Sequence, residues 1–199
     1  VDLPSERFAT SIDGSNDHVC TILDNGSVMC WGSGSSGKLG DGTSTSSTTP
    51  LTVSLPVGRT ATALEVGYLH SCAILDDASI MCWGDNYYGQ IGDGTGIDRN
   101  TPVAVNLPAG RTATALAVDG YHSCAILDDA STMCWGRNNY GQLGDGTGIG
   151  SSTPVAVSLP AGRTIAKLKL GFYHSCAILD DDSIMCWGRN NYGQLGDGT

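Results

Sequence analysis

Residues 70–84 read HSCAILDDASIMCWG: two short runs of β-forming residues, Cys72 to Leu75 and Ser79 to Trp83, flank an Asp76-Asp77-Ala78 turn. That is the signature of a β-hairpin. The stretch recurs at residues 18–32 (HVCTILDNGSVMCWG), 122–136 and 174–188, so Cys-Trp-Gly begins at Cys30, Cys82, Cys134 and Cys186 with a constant step of 52. In the first copy the turn is Asp24-Asn25-Gly26, and Asn-Gly is the strongest short-range hairpin signal because both residues tolerate positive φ. With the hairpin centred on Asp77, Cys72 opposes Cys82 and Ile74 opposes Ile80 on one side of the ribbon. Ala73, Leu75 and Met81 then fall on the other side. Both faces are apolar, as in a sheet sandwiched between two neighbours.

The same step relates Leu3-Pro4, Leu55-Pro56, Leu107-Pro108 and Leu159-Pro160, as well as His18, His70, His122 and His174. Self-similarity at a period near 50 residues marks architectures whose units bury their apolar faces only against one another. After each hairpin comes a Gly-rich connection, such as DNYYGQIGDGTGIDRN. A strand around Thr101-Pro102-Val103-Ala104-Val105, a turn at Leu107 to Arg111 and a strand at Ala115 to Val118 follow. About four short antiparallel strands per 52-residue unit, with no helical period, predict an all-β fold of β-propeller-type blades. The units are drawn at 1–48, 49–100, 101–152 and 153–199 of a single array.

The 199 residues carry 40% hydrophobic side chains, 28 Gly and only two Phe, the composition of a turn-rich globular chain with a lean core. No apolar stretch has the ~18 residues of a membrane helix. The opening VDLPSERFATSIDG lacks the pattern of a signal peptide and already aligns with the repeat. A net charge of −10 opposes nucleic-acid binding, which needs clustered Lys and Arg. The eight cysteines form four C-x9-C pairs, Cys20/Cys30, Cys72/Cys82, Cys124/Cys134 and Cys176/Cys186, and an even count locked to the repeat reads as a disulfide framework. Such a framework places the protein in an oxidising, extracellular or cell-surface compartment.

Motifs with a chemical reading are weighed against plainer ones. Gly32-Ser33-Gly34-Ser35-Ser36-Gly37-Lys38 resembles a phosphate-binding loop, yet no helix follows it and its equivalents in other copies are blade connections. The repeated His with two Cys suggests metal, but the cysteines are assigned to disulfides and the histidines to hydrogen bonds inside their blades. The turns at Asp76-Asp77, Asp128-Asp129 and Asp180-Asp181-Asp182 lack the alternating ligand run of a calcium loop. Asn25-Gly26-Ser27 matches a glycosylation sequon but doubles as the hairpin turn. Nearly every catalytic candidate sits at a repeated position, where blade packing is the simpler explanation, so neither catalytic residue nor cofactor is expected. Trp31, Trp83, Trp135 and Trp187 read as core. Positions that vary between copies are the contact candidates: Tyr87, Tyr88, Tyr140 and Tyr192 with Arg137 and Arg189 would lie along one side of the array, the tyrosines either meeting a partner or packing against the next blade. Lys167 and Lys169 replace alanines of the previous copy and read as protection of a strand edge.

The elements H-x-C-x-I-L, C-W-G, N-x-Y-G-Q-L-G-D-G-T and T-P-V-x-V together resemble the regulator of chromosome condensation repeat family over essentially the whole chain. The resemblance implies blades of a seven-bladed propeller, and copies with paired cysteines resemble secreted or surface-attached bacterial members. The first copy departs from the pattern with WGSGSSGKLGDGT. Val1 aligns with Val53 and Thr199 with Thr95, so four hairpins come with three T-P-x-x-V strands. A longer array or a second copy is expected to supply the missing pieces. The leading expectation is a secreted, non-enzymatic scaffold that associates with itself through its unfinished ends, as a fibre or surface assembly. An inhibitor of another extracellular protein, acting through one loop face, is the alternative. Nucleotide exchange on a small GTPase, which the resemblance also implies, is opposed by the acidic charge and the paired cysteines.

Overall fold

The computed structural model describes residues 1–198, and Thr199, with its match to Thr95, lies outside them. Among the described residues fifteen strands form four antiparallel sheets. The first sheet runs β1 (Ala9–Gly14), β2 (His18–Leu23), β3 (Val28–Gly32), β4 (Ser47–Thr52), and the second β5 (Ala61–Val66), β6 (His70–Leu75), β7 (Ile80–Gly84), β8 (Arg99–Ala104). The third comprises β9 (Ala113–Asp119), β10 (His122–Leu127), β11 (Thr132–Gly136) and β12 (Ser151–Ala156), and the last has β13 (Ile165–Leu170), β14 (His174–Leu179) and β15 (Ile184–Gly188). Each sheet is a meander, with strands adjacent in sequence adjacent in space, as in a propeller blade. The first strands form the inner edge of the array: β5 lies against β1 and β9, and β9 against β13. Among the described residues the only helical turn is a 3-10 turn at Ser35–Gly37, and no helix is long and apolar enough to cross a membrane. The unit edges drawn at 48, 100 and 152 fall inside β4, β8 and β12, because a period sets the length of a unit and not its phase.

Register within the hairpins follows the alternation of side chains. Cys72 pairs with Cys82, Ile74 with Ile80 and Ala73 with Met81. Opposed cysteines in all four hairpins are bonded as Cys20–Cys30, Cys72–Cys82, Cys124–Cys134 and Cys176–Cys186, their Cα atoms 4.0 to 4.1 Å apart. Positive φ in the hairpin turns is confined to the third residue: Gly26 (75°), Ala78 (59°), Ala130 (64°) and Asp182 (66°). Gly26 N donates to Leu23 O, and Leu23 N to Ser27 O, so the loop is a type I turn closed by one left-handed residue. The Asx side chain holds it, with Asp77 Oδ1 accepting from the backbone N–H and hydroxyl of Ser79, and Asn25 doing the same for Ser27.

The two sides of each hairpin meet complementary sides of its neighbours. Cys20, Ile22, Val28 and Cys30 of the first blade pack on Ala73, Leu75 and Trp83 of the second. Cys72, Ile74, Ile80 and Cys82 repeat the contact with Ala125, Leu127 and Trp135. Trp83, Trp135 and Trp187 donate their indole N–H backwards, to the carbonyls of Lys38, Gln90 and Gln142. The histidines depart from the sequence expectation, because their bonds leave the blade. Nε2 of His18, His70 and His122 lies 2.7 to 2.8 Å from Oγ of Ser71, Ser123 and Ser175 on the next blade. Strand alternation aims the imidazole across the interface rather than along its own sheet.

Candidate functional site

Both chain turns that carry aromatic residues emerge at one end of the blades. The turns before β6, β10 and β14 hold Tyr68, Tyr121, Phe172 and Tyr173, and the Gly-rich connections after β7, β11 and β15 hold Tyr87, Tyr88, Tyr140 and Tyr192. The connections are rigid. Buried Asn86 donates from its amide to Asp93 Oδ1 and to the carbonyls of Thr95 and Ile97, and its Oδ1 accepts from Ile91 N–H. Asn138 does the same work in the third blade. Gln90, Gln142 and Gln194 each accept the backbone N–H of the tyrosine two residues before, which fixes where Tyr88, Tyr140 and Tyr192 stand. The repeated Y-G-Q-L-G-D-G-T thus presents a tyrosine from a locked loop.

The rings form one continuous cluster. Tyr68 and Tyr121 each meet Phe172 edge-on with centroids 5.0 Å apart; Tyr88 joins Tyr121 at 5.2 Å, and Tyr140 joins Tyr173 at 5.3 Å. Edge-to-face pairs at these distances are the favoured geometry of aromatic contacts. Into the cluster run two guanidinium groups. Arg137 lies 4.7 Å from the Tyr88 centroid, 5.4 Å from Tyr121 and 5.1 Å from Tyr173. Arg189 lies 5.4 Å from both Tyr140 and Tyr173 and 5.7 Å from Tyr192. These are cation–π distances. Burial, then the neighbouring Tyr173, Tyr68 and Tyr88, push the Tyr121 hydroxyl above its ordinary range, with Arg137 opposing. It therefore stays neutral and does not compensate the cation beside it. At the outer rim Tyr87 and Tyr192 are 76% and 87% exposed.

All six contact candidates from the sequence stand on this end, Tyr88 and Tyr140 beneath an arginine of the following blade and Tyr87 and Tyr192 at the rim. Tyr68, Tyr121, Phe172 and Tyr173 complete the cluster and were missed. Their signal was present as an aromatic one or two residues before each His of the last three copies. The first copy has Asn16-Asp17 there and contributes no ring. Its Lys38, in the place of the glutamines, is buried with Nζ 2.7 Å from Asp17 Oδ1. Added Cβ atoms at Gly34 and Gly37 would strike the backbone of Thr45 and Asn100, so this loop is packed against protein and offers no phosphate cradle. At the opposite end of the blades, Arg59, Arg111 and Arg163 pair with the aspartates of the hairpin tips. Among the described residues no group of three His, Cys, Asp or Glu side chains is placed to hold a metal ion.

Comparison with known proteins agrees with this architecture. A family model described as "Regulator of chromosome condensation (RCC1) repeat" matches residues 25–74, 77–126 and 133–178, and a second of the same description matches 61–90, 117–142 and 165–194. The Ultraviolet-B receptor UVR8 of Arabidopsis thaliana is 26% identical over 182 residues, covering 92% of this chain and 41% of that protein. Human WBSCR16 superimposes with a TM-score of 0.85 at 21% identity, over 96% of this chain and 50% of that structure. Prp20p of Saccharomyces cerevisiae, studied for its binding to Gsp1p and histones, gives 0.84 at 20% identity over 100% of this chain and 49% of that one. The chain spans half or less of each of these. With the model covering most of its length and the blades reproducing the fold, the chain belongs to the Regulator of chromosome condensation (RCC1) repeat family.

Proposed function

We propose that the protein is a non-enzymatic, extracellular binding scaffold whose working surface is the aromatic and guanidinium end of its blades. The observation that carries this reading is the continuous Tyr/Arg cluster, presented by loops that buried Asn and Gln side chains lock in place. Tyr and Arg dominate the energetics of protein interfaces, and preorganised loops lower the entropy lost on binding. The four cysteine pairs support an oxidising compartment. Photo-crosslinking residues placed at Tyr87 and Tyr192, with control sites at Asn25 and Asp129 on the opposite end, test it in the native secreted mixture. Discrete adducts confined to the tyrosine end are expected; equal labelling at both ends would dismiss this surface.

Self-association is the second reading. It is supported by the last blade, where Lys167, Cys176, Ile178 and Ile184 line an apolar hollow of 510 Å³ together with Ala115, Leu116 and Ile126 of the third blade, and Ile184 is 75% exposed. Exposed sheet faces of this kind invite pairing with another copy. Sedimentation over a wide concentration range distinguishes the two, since a monodisperse monomer at high concentration sinks the self-assembly reading and leaves the loop-face reading intact. Exchange on a small GTPase is a remote alternative, for which a nucleotide-release assay is expected to be negative.

A further inference from the structure

Seven arginines occur in the chain, and five of them, Arg7, Arg59, Arg99, Arg111 and Arg163, make ion pairs with aspartates. Among the described residues the two without a carboxylate partner are Arg137 and Arg189, the pair that enters the aromatic cluster. In a chain of net charge −10, with acids available on every blade, two uncompensated cations in one aromatic cluster are a local inversion of the surface charge. The inversion follows the repeat. The position held by Arg137 and Arg189 is Asp85 in the second blade, where its carboxylate is occupied by Gln90 and Tyr87 N–H. The face therefore changes sign between the second blade and the third.

We propose that Arg137 and Arg189 form a receptor for a carboxylate carried by a partner protein of otherwise positive charge. The proposal rests on the reading of this end as the binding surface and adds the chemistry of the partner. Tyr173 lies 5.1 Å from one guanidinium carbon and 5.4 Å from the other, so a single ring is within cation–π reach of both cations. Nε of each arginine is buried without an acceptor, which withdraws the side edge of the fork and leaves the paired terminal amino groups to receive a planar carboxylate. Cation–π contacts with the tyrosines hold the guanidinium groups in position before the partner arrives. The rest of the surface selects against polyanions such as nucleic acid or sulfated glycans, because the net charge repels them at long range and attracts a basic protein. An acidic side chain set within a basic surface satisfies both terms at once.

The test uses the intact, oxidised protein and records the arginine Nε–H resonances by NMR. The probes are the peptide acetyl-Lys-Phe-Glu-Lys-amide, its Glu-to-Gln analogue, and inorganic sulfate. The Glu peptide is expected to shift the Arg137 and Arg189 resonances saturably and leave the five paired arginines unmoved. Affinity should drop about tenfold with the Gln analogue and about tenfold in R137Q or R189Q, the loss of one charge-assisted contact. Equal binding of the Glu and Gln peptides would overturn the carboxylate receptor while keeping the face as a binding surface. Sulfate that competes as well as the Glu peptide would reduce the site to a general anion cradle and overturn the proposal. Shifts in no tyrosine or arginine resonance with any probe would overturn the surface reading together with it.

Discussion

Between blades, single polar contacts are set into apolar interfaces, and the histidines show how each is satisfied. Ser123 Oγ donates to the Gln90 carbonyl at 2.9 Å, and Ser175 Oγ to that of Gln142, so the imidazoles of His70 and His122 must be the donors through Nε2. Nδ1 is then a bare lone pair without a partner, and the ring is neutral. Burial, followed by the neighbouring charges, drives the imidazole pKa to about 4 for His18 and about 3 for His70 and His122. A folded value below the unfolded one means that the unfolded chain binds more protons, so this stability is complete above pH 6.5 and is lost as pH falls toward the folded values. The three together cost up to about 4 kcal/mol per pH unit in that window. Glu65, Asp85 and Asp119, held above the ordinary carboxylate range chiefly by burial, act in the opposite direction but only near the carboxylate range itself. Urea midpoints should fall steeply from pH 6.5 to 5, and a flat profile would contradict neutral, buried rungs. Two glycines offer a sharper comparison, since both hold left-handed φ, 80° at Gly92 and 74° at Gly110. A Cβ at Gly92 would stand 2.7 Å from Trp135 Nε1, whereas at Gly110 nothing lies within 4 Å. Gly110→Ala should cost about 1 kcal/mol for the backbone alone, and Gly92→Ala about 3 kcal/mol or more once the indole is displaced. Equal losses in denaturant titration would mean that the close approach to tryptophan is immaterial.

Within the hairpins, turn and staple contribute separately. The left-handed third residue is Gly26 in one copy and Ala in two others, an arrangement in which alanine pays for a conformation that glycine takes freely. Ala130→Gly should therefore raise stability by up to about 1 kcal/mol, read as a higher urea midpoint with an unchanged slope. Each disulfide closes a loop between cysteines 10 apart in sequence, worth about 2 to 3 kcal/mol on the chain-entropy account. Replacing Cys124 and Cys134 together by alanine should lower stability by that amount, and full reduction should lower the melting temperature far more. Melting that is unchanged in reductant would remove the cross-links from the account of stability.

Across the array, stability is a sum of blade and interface contributions, so protection should be highest where both sides of a blade are covered. Every residue of β6 and β10 is buried, whereas β14 alternates between buried and half-buried or exposed positions and in β15 only Trp187 is buried. Hydrogen exchange of this chain should be slowest in β6 and β10 and fastest in β15. Uniform protection of all four hairpins would show that a further contact covers the last blade, which is the arrangement the self-association reading requires.

The period, the hairpin register and the pairing of the cysteines were legible from residues alone, because each depends on interactions within about ten residues and on the two-residue alternation of a strand, repeated four times in step. The two-sided apolar character of the ribbon likewise announced a blade with neighbours. What the chain order does not contain is how one blade is rotated and displaced against the next. That relation places His70 on Ser123, 53 residues away, rather than on its own sheet, and it brings Tyr68 against Phe172 with centroids 5.0 Å apart from turns on two different blades. It also moves Arg137 over Tyr88 of the preceding blade and Tyr173 of the following one, converting scattered loop residues into one surface. Such contacts follow from the packing of whole sheet faces, which no local pattern encodes.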